Sequence, residues 1–156
     1  MDQRIRKRAE VVRTLSEDIY REIILDHYRN PRNKGKISDA DVSFHDSNPL
    51  CGDEIDIHMK VEDNVVKDIR FEGRGCAISQ ASASMLTEMV MNKSLSSIKD
   101  LGKDEILENI GLLNLGPARI KCALLSLKVL KMGMVEYYAA KDPESAKEMQ
   151  QGTRLY

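Results

Sequence analysis

Between Glu54 and Glu62, apolar and polar residues alternate one for one: Ile55, Ile57, Met59 and Val61 against Glu54, Asp56, His58, Lys60 and Glu62. Only a β-strand, whose successive side chains point to opposite faces, turns that order into one apolar side and one wet side. Glu62-Asp63-Asn64 supplies a hairpin turn, Val65–Phe71 reads as a strand after it, and Val42 and Phe44 mark a strand before it. Three antiparallel strands with a polar outer face need a helical layer on the other.

The rest of the chain supplies helices. Thr14 with Glu17 has the spacing of a capping box, and Ile19, Ile23, Ile24 and His27 follow at helical intervals. The pattern predicts a helix from about Leu15 to Tyr28, stopped by Pro31, with Asn30–Gly35 as a turn. After Cys76, the residues Ile78, Ala81, Met85, Leu86, Met89 and Val90 predict a helix ending near Asn92. Ser94 caps a short helix, and Lys103–Ile110 forms another. Gly116-Pro117 opens the longest, with Ile120, Leu124, Leu127, Leu130 and Met134 along one face. The fold class is therefore α+β: a small three-stranded antiparallel sheet covered on one face by helices, with an N-terminal helix and a long C-terminal helix.

Charge divides the chain into a basic extension at 1–14, a domain at 15–140 and a polar tail at 141–156 beyond Pro143. Arg4, Arg6, Lys7, Arg8 and Arg13 outnumber Asp2 and Glu10, so this arm carries +3 within a chain of net charge −1. The near balance and the scarcity of aromatics argue against nucleic acid as a partner. No apolar run reaches the ~18 residues of a membrane span and no signal-peptide pattern opens the chain, so the expected compartment is the cytoplasm. A chain of 156 residues buries enough surface to need neither disulfide nor metal for its core.

The three cysteines, 51, 76 and 122, are too many for one disulfide and too few for a four-thiolate site. Each falls at the edge of an element: Cys51 between the first two strands, Cys76 between the last strand and a helix, Cys122 near the start of the long helix. A lone cysteine is commonly a small buried hydrophobe, and the spacing fits no general zinc finger. Their positions, however, allow one site. Asp53 stands two residues after Cys51, while Gly52, Gly73 and Gly75 let the backbone approach a bulky ligand. Helix starts, with Lys121 beside Cys122 and Arg74 near Cys76, are expected to favour the thiolate. Cys51, Asp53, Cys76 and Cys122 form a candidate set of three sulfurs and one oxygen, suited to Zn²⁺ or to an iron–sulfur cluster. Formal charge does not choose between Zn²⁺ and an oxidised two-iron core, which carry the same charge. A hard oxygen among soft thiolates binds a cluster less firmly than a fourth thiolate, which suits a protein that releases what it builds.

At these residues the chain resembles the iron–sulfur cluster assembly scaffolds of the IscU, SufU and NifU N-terminal type. The resemblance covers about Leu15 to Ala139. It rests on Tyr20, Asp26-His27-Tyr28-Arg29-Asn30-Pro31-Arg32-Asn33, Cys51-Gly52-Asp53, Phe71-Glu72-Gly73-Arg74-Gly75-Cys76-Ala77-Ile78-Ser79-Gln80-Ala81-Ser82 and Arg119-Ile120-Lys121-Cys122. It implies Cys51, Asp53, Cys76 and Cys122 as ligands of a labile [2Fe-2S] cluster, a carrier rather than a catalyst. It also implies a cysteine desulfurase delivering sulfur to the site, a ferredoxin-like electron donor, apo iron–sulfur clients, and a monomer or weak homo-oligomer; the helix-start position of Cys122 and its Lys121 neighbour make Cys122 the expected sulfur acceptor. Gly52, Gly75, Arg119 and Lys121 are supporting positions, and Tyr20 resembles a partner-contact position. Lys121 replaces the histidine usual in IscU-type proteins and gives the Arg-x-Lys-Cys pattern of SufU-type proteins, which act as zinc-dependent sulfur acceptors. The SufU-type insertion of some twenty residues before the last cysteine is absent. Leu115-Gly116-Pro117-Ala118-Arg119 replaces the Leu-Pro-Pro-Val-Lys chaperone motif of many IscU-type proteins. Outside the site, His27 is expected to pack on the apolar helix face, His45 and His58 to be exposed strand residues, and Met85 and Met89 to be helical core.

Overall fold

The computed structural model describes residues 2–111 and 116–153; Leu115 of the chaperone-motif stretch lies outside them. In chain order the elements are α1 (Gln3–Arg29), β1 (Val42–Asn48), β2 (Asp53–Glu62), β3 (Val65–Arg74), α2 (Ala77–Val90), α3 (Leu95–Lys99), α4 (Lys103–Ile110), α5 (Pro117–Lys141) and α6 (Pro143–Thr153). The strands form one antiparallel sheet in the order β1-β2-β3.

The alternation in β2 sets the sheet's two faces. Ile55, Ile57 and Met59 are buried, joined by Val66, Ile69 and Phe71 of β3, while Glu54, Asp56 and Lys60 lie on the wetter side. The β2–β3 turn puts both Asp63 and Asn64 at positive φ (52° and 59°), the geometry of a tight hairpin whose twist matches its strands. The outer edge of β3 is covered: Asn33 and Gly35 exchange backbone hydrogen bonds with Phe71, and Asn92 and Lys93 do so with Val66. Covering an edge removes a row of unpaired donors and acceptors that otherwise invites aggregation.

Helices α2 and α5 fill the inner face of the sheet. Ala81, Leu86 and Val90 of α2 meet Ala123, Leu127, Leu130 and Met134 of α5 in the same core as the strands. At Gly133 a Cβ would sit 2.9 Å from Val42, so the glycine lets α5 approach β1. Buried Lys131 donates from Nζ to the carbonyls of Ile98 (2.8 Å) and Lys99, closing the C-terminal end of α3. His27 packs as expected, its Nδ1 2.8 Å from the Ser84 hydroxyl, and burial holds its pKa below the ordinary value. Met85 is buried, and Met89 packs on the core.

Four readings need correction. The first helix does not begin at Leu15: it runs unbroken from Gln3, capped by the Asp2 carboxylate, which accepts from the Arg4 N–H at 3.0 Å. Thr14 is interior, its hydroxyl turned back to the Glu10 carbonyl at 3.0 Å, so the capping-box spacing was coincidental. At 27 residues, α1 and not α5 is the longest described helix. The tail after Pro143 forms α6, with Ala146 and Met149 buried; two apolar residues three apart in a polar stretch were enough to dock one face. His58 is half-buried rather than exposed, because β2 is the central strand and Ser43 and Arg70 flank it on either side. His45 is exposed, paired with Asp56 at 2.9 Å.

Candidate metal centre

The β1–β2 connection is a short loop. Cys51 and Gly52 both donate their N–H to the Asn48 carbonyl (3.3 and 2.8 Å), and Gly52 takes φ 73°, a left-handed turn that glycine makes without strain. The loop delivers Asp53 as the first residue of β2, where it is fully buried. One carboxylate oxygen, Oδ1, accepts the Cys76 N–H at 2.8 Å, which ties the start of β2 to the start of α2. Gly75 makes this possible: it takes φ 144°, and a Cβ there would run into the Asp53 carboxylate and lie 2.9 Å from the Asp53 Cα.

The other oxygen faces the sulfurs. Cys51 Sγ is 3.0 Å and Cys76 Sγ 3.5 Å from Asp53 Oδ2, and Cys51 Sγ lies 3.3 Å from Cys122 Sγ. Ligand atoms of Cys51, Asp53 and Cys122 all fall within 4.8 Å of one another. The structure therefore brings all four expected residues together, Cys76 through Asp53. Three soft sulfurs and a carboxylate oxygen converging from three segments have the chemistry of a tetrahedral zinc or iron–sulfur site, so the residues fit either group.

Electrostatics centre on Asp53. Burial pushes its carboxyl up, but hydrogen bonds from the Cys51 thiol, the Cys76 N–H and the thiols of Cys122 and Cys76 outweigh burial and hold it below the ordinary value. A carboxylate that stays charged while buried, with sulfur donors around it, is set up to exchange those protons for a cation.

The expectation for Cys122 needs correction. Burial first, then hydrogen bonding with Asp53 and Cys51, pushes its thiol up rather than toward thiolate. Pro117 opens α5, so Cys122 sits in the second turn, beyond the first-turn reach of the helix dipole. Cys76 does occupy a helix start: it caps α2, and its sulfur accepts the Ser79 N–H at 3.4 Å. Arg74 is committed elsewhere, its Nε 2.8 Å from Glu54 Oε2.

Cys51, Cys76 and Cys122 open into a cleft of about 340 Å³ that Leu50, Ile78 and Arg119 help to line. Lys121 is exposed and lines an adjoining cavity of about 510 Å³ with Leu50, Lys103 and Lys128. Leu50, 78% exposed, stands between the two. Tyr20 is half-buried, its ring against Gly111, where the left-handed φ of 72° ends α4 and a Cβ would enter the ring. Sequence reasoning missed Ser79, whose N–H reaches Cys76 Sγ and whose hydroxyl reaches the Cys76 carbonyl at 3.1 Å. Its place three residues after a helix-capping cysteine was the available signal.

Known proteins resemble this chain. The model of the NifU-like N-terminal domain matches residues 19–144. The zinc-dependent sulfurtransferase SufU of Bacillus subtilis is 42% identical over 139 residues, covering 77% of this chain and 92% of that protein. The iron–sulfur cluster assembly scaffold protein IscU 1 of Archaeoglobus fulgidus is 38% identical over 120 residues, 77% of each chain. Among solved structures, a candidate iron–sulfur cluster assembly scaffold protein for the SUF system from Fervidobacterium islandicum superposes with a TM-score of 0.62 at 30% identity. That match covers 72% of this chain and 94% of the other. On the family match and these relatives, the chain belongs to the NifU-like N-terminal domain family of IscU- and SufU-type iron–sulfur assembly proteins.

Proposed function

We propose that this chain is a scaffold on which a labile [2Fe-2S] cluster is built on Cys51, Asp53, Cys76 and Cys122 and then passed to apo-proteins. The observation that carries the reading is the convergence of three cysteines on one buried, charged carboxylate. The cluster is cargo. An oxygen ligand among thiolates lowers its retention, and the cleft beside the sulfurs gives it a way out. Sulfur arrives from a cysteine desulfurase. The Cys122 thiol gives up its proton as its sulfur attacks the outer sulfur of the desulfurase persulfide; a new S–S bond forms on Cys122, the S–S bond to the desulfurase breaks, and the desulfurase cysteine takes up the proton and leaves as thiol. A ferredoxin-like donor supplies electrons. Tyr20 and the exposed Leu50 are contact points for partners, Gly52 and Gly75 hold the ligand loops, and Arg119 and Lys121 flank the entrance. The chain acts in the cytoplasm, as a monomer or weak homo-oligomer; no described helix is long and apolar enough to cross a membrane.

A second reading is a zinc-dependent sulfur acceptor that uses the same four ligands. The Arg119 and Lys121 pattern and the 42% identity to the Bacillus sulfurtransferase favour it. Alignment length weighs against it. The 139 aligned positions exceed the 77% of 156 residues, about 120, that this chain contributes, so about 19 have no counterpart here. The Archaeoglobus scaffold aligns over 120 residues for the same share. A core of this size needs no metal to fold, which argues against a purely structural zinc role.

Anaerobic reconstitution with iron and sulfide, followed by visible absorption, separates the readings. A sulfide-to-iron band that moves to an apo-ferredoxin supports the scaffold. Retained zinc with desulfurase stimulation, and no transferable cluster, supports the sulfur acceptor.

A further inference from the structure

Helix α1 carries two surfaces. One, through Tyr20, Ile24 and His27, meets the domain. The other is an apolar stripe facing solvent: Ile5, Val12, Leu15 and Ile19 are 57%, 63%, 58% and 60% exposed. Their spacing of seven, three and four residues keeps them on one side over about 20 Å of helix. Leaving four large aliphatic side chains in water on a helix whose first half is exposed throughout is unfavourable, so the stripe calls for a cover. The matched family segment begins at residue 19, and nearly all of the stripe precedes it.

Charge along the same helix identifies the cover. The N-terminal half, 2–13, carries +3; the segment 17–26 holds Glu17, Asp18, Glu22 and Asp26 against Arg21 alone, or −3. Two grooves flank the stripe in the same order. Arg4, Lys7 and Arg8 border Val11 and Val12, whereas Asp18, Glu22 and Asp26 border Leu15 and Ile19. Within the chain, Asp26 is taken by Arg32 at 2.6 Å, but the other charges are only loosely used. Arg4–Asp2, Arg13–Glu17 and Arg21–Asp18 are exposed pairs at 3.6, 3.7 and 3.9 Å, and Lys7, Arg8 and Glu22 have no ion-pair partner among the described residues.

We infer that α1 is a homodimerisation element, pairing antiparallel with α1 of a second copy of this chain. A helix with one basic and one acidic half along an apolar seam, interrupted at Arg8, is complementary to itself only when reversed. Reversal about a point between Val12 and Leu15 sets Val12 against the partner's Leu15, and brings Arg4 and Arg8 beside the partner's Asp18 and Glu22. Parallel pairing would set +3 on +3. An anionic membrane would meet the acidic half as readily as the basic one.

Sedimentation velocity of the full chain over a dilution series tests this. The expected result is a reversible species of twice the 17.7 kDa chain mass that weakens as salt is raised. Val12→Asp with Leu15→Asp makes the chain monomeric throughout, with the domain's thermal unfolding retained. Arg4→Glu with Arg8→Glu weakens association by about tenfold or more, and adding Asp18→Lys and Glu22→Lys to that variant restores it. A wild-type monomer across the series overturns the inference, even if α1 then binds anionic vesicles or a desulfurase. So does a dimer that survives the Val12/Leu15 substitutions, or a four-residue charge exchange that fails to restore association.

Discussion

The two long helices of this molecule, α1 with 27 residues and α5 with 25, make opposite use of their length. Twelve described residues of α5 are buried, on every side of the helix, between Cys122 and Val135. Of α1, only Ile24 is. A helix packed against sheet, α2 and α6 at once has nowhere to move, and its sixth residue, Cys122, is fixed to meet a loop 71 positions earlier in sequence. A helix held only near its C-terminal end keeps its other surface for something outside the chain. Burial thus fixes the candidate metal centre, and exposure marks the surface inferred to pair two copies.

The sharpest way to break this contrast is to remove one side chain from each helix. Leu127→Ala, at a fully buried α5 position, should cost about 3 kcal/mol in urea denaturation through lost burial and a residual cavity. Lys131 tests the same helix by pH. Burial pulls its amine down to about 8 from 10.5, against the opposing pull of Asp100 and Glu105. Between those values the unfolded chain binds the proton and the folded chain does not, so stability rises as pH rises from about 8 to 10.5. The gain reaches about 3 kcal/mol at most. Lys131→Met should flatten that rise; an unchanged slope would remove Lys131 as its source.

Gly75→Ala addresses the site that α5 serves. Its Cβ displaces the Asp53 carboxylate, and zinc affinity measured by competition with a chelator should fall on the order of 10–100-fold while the core stays folded. The smallest effect belongs to α1: Leu15→Ala, at a dilution where the chain is monomeric, should change stability by no more than about 0.5 kcal/mol.

The same contrast explains what was legible in sequence. The alternation from Ile55 to Val61 and its hairpin turn placed the sheet, because a two-residue period and two left-handed turn residues are local signals. Pro117 opened α5 and Ser94 capped α3 for the same reason. The four candidate ligands were readable as a set only through their element edges and the family motif; that Asp53 is the hub appears only when β2, the Gly75 turn and α2 come together. Local signals failed where tertiary context decided. Thr14 had the spacing of a cap inside a continuing helix, Ala146 and Met149 gave little warning of a docked α6, and Lys131 gave no sign of being buried. Cys122 was read by its nearness to a helix start, but its burial outweighs that.

The proposed function turns on Asp53 as the weak ligand through which a cluster would be released. The direct measurement is the anaerobic lifetime of the reconstituted cluster in wild type and Asp53→Ala, followed by absorption with and without an apo-ferredoxin acceptor. The expected result is a longer-lived cluster and slower transfer in the variant. A variant that loses its cluster faster than wild type would contradict it.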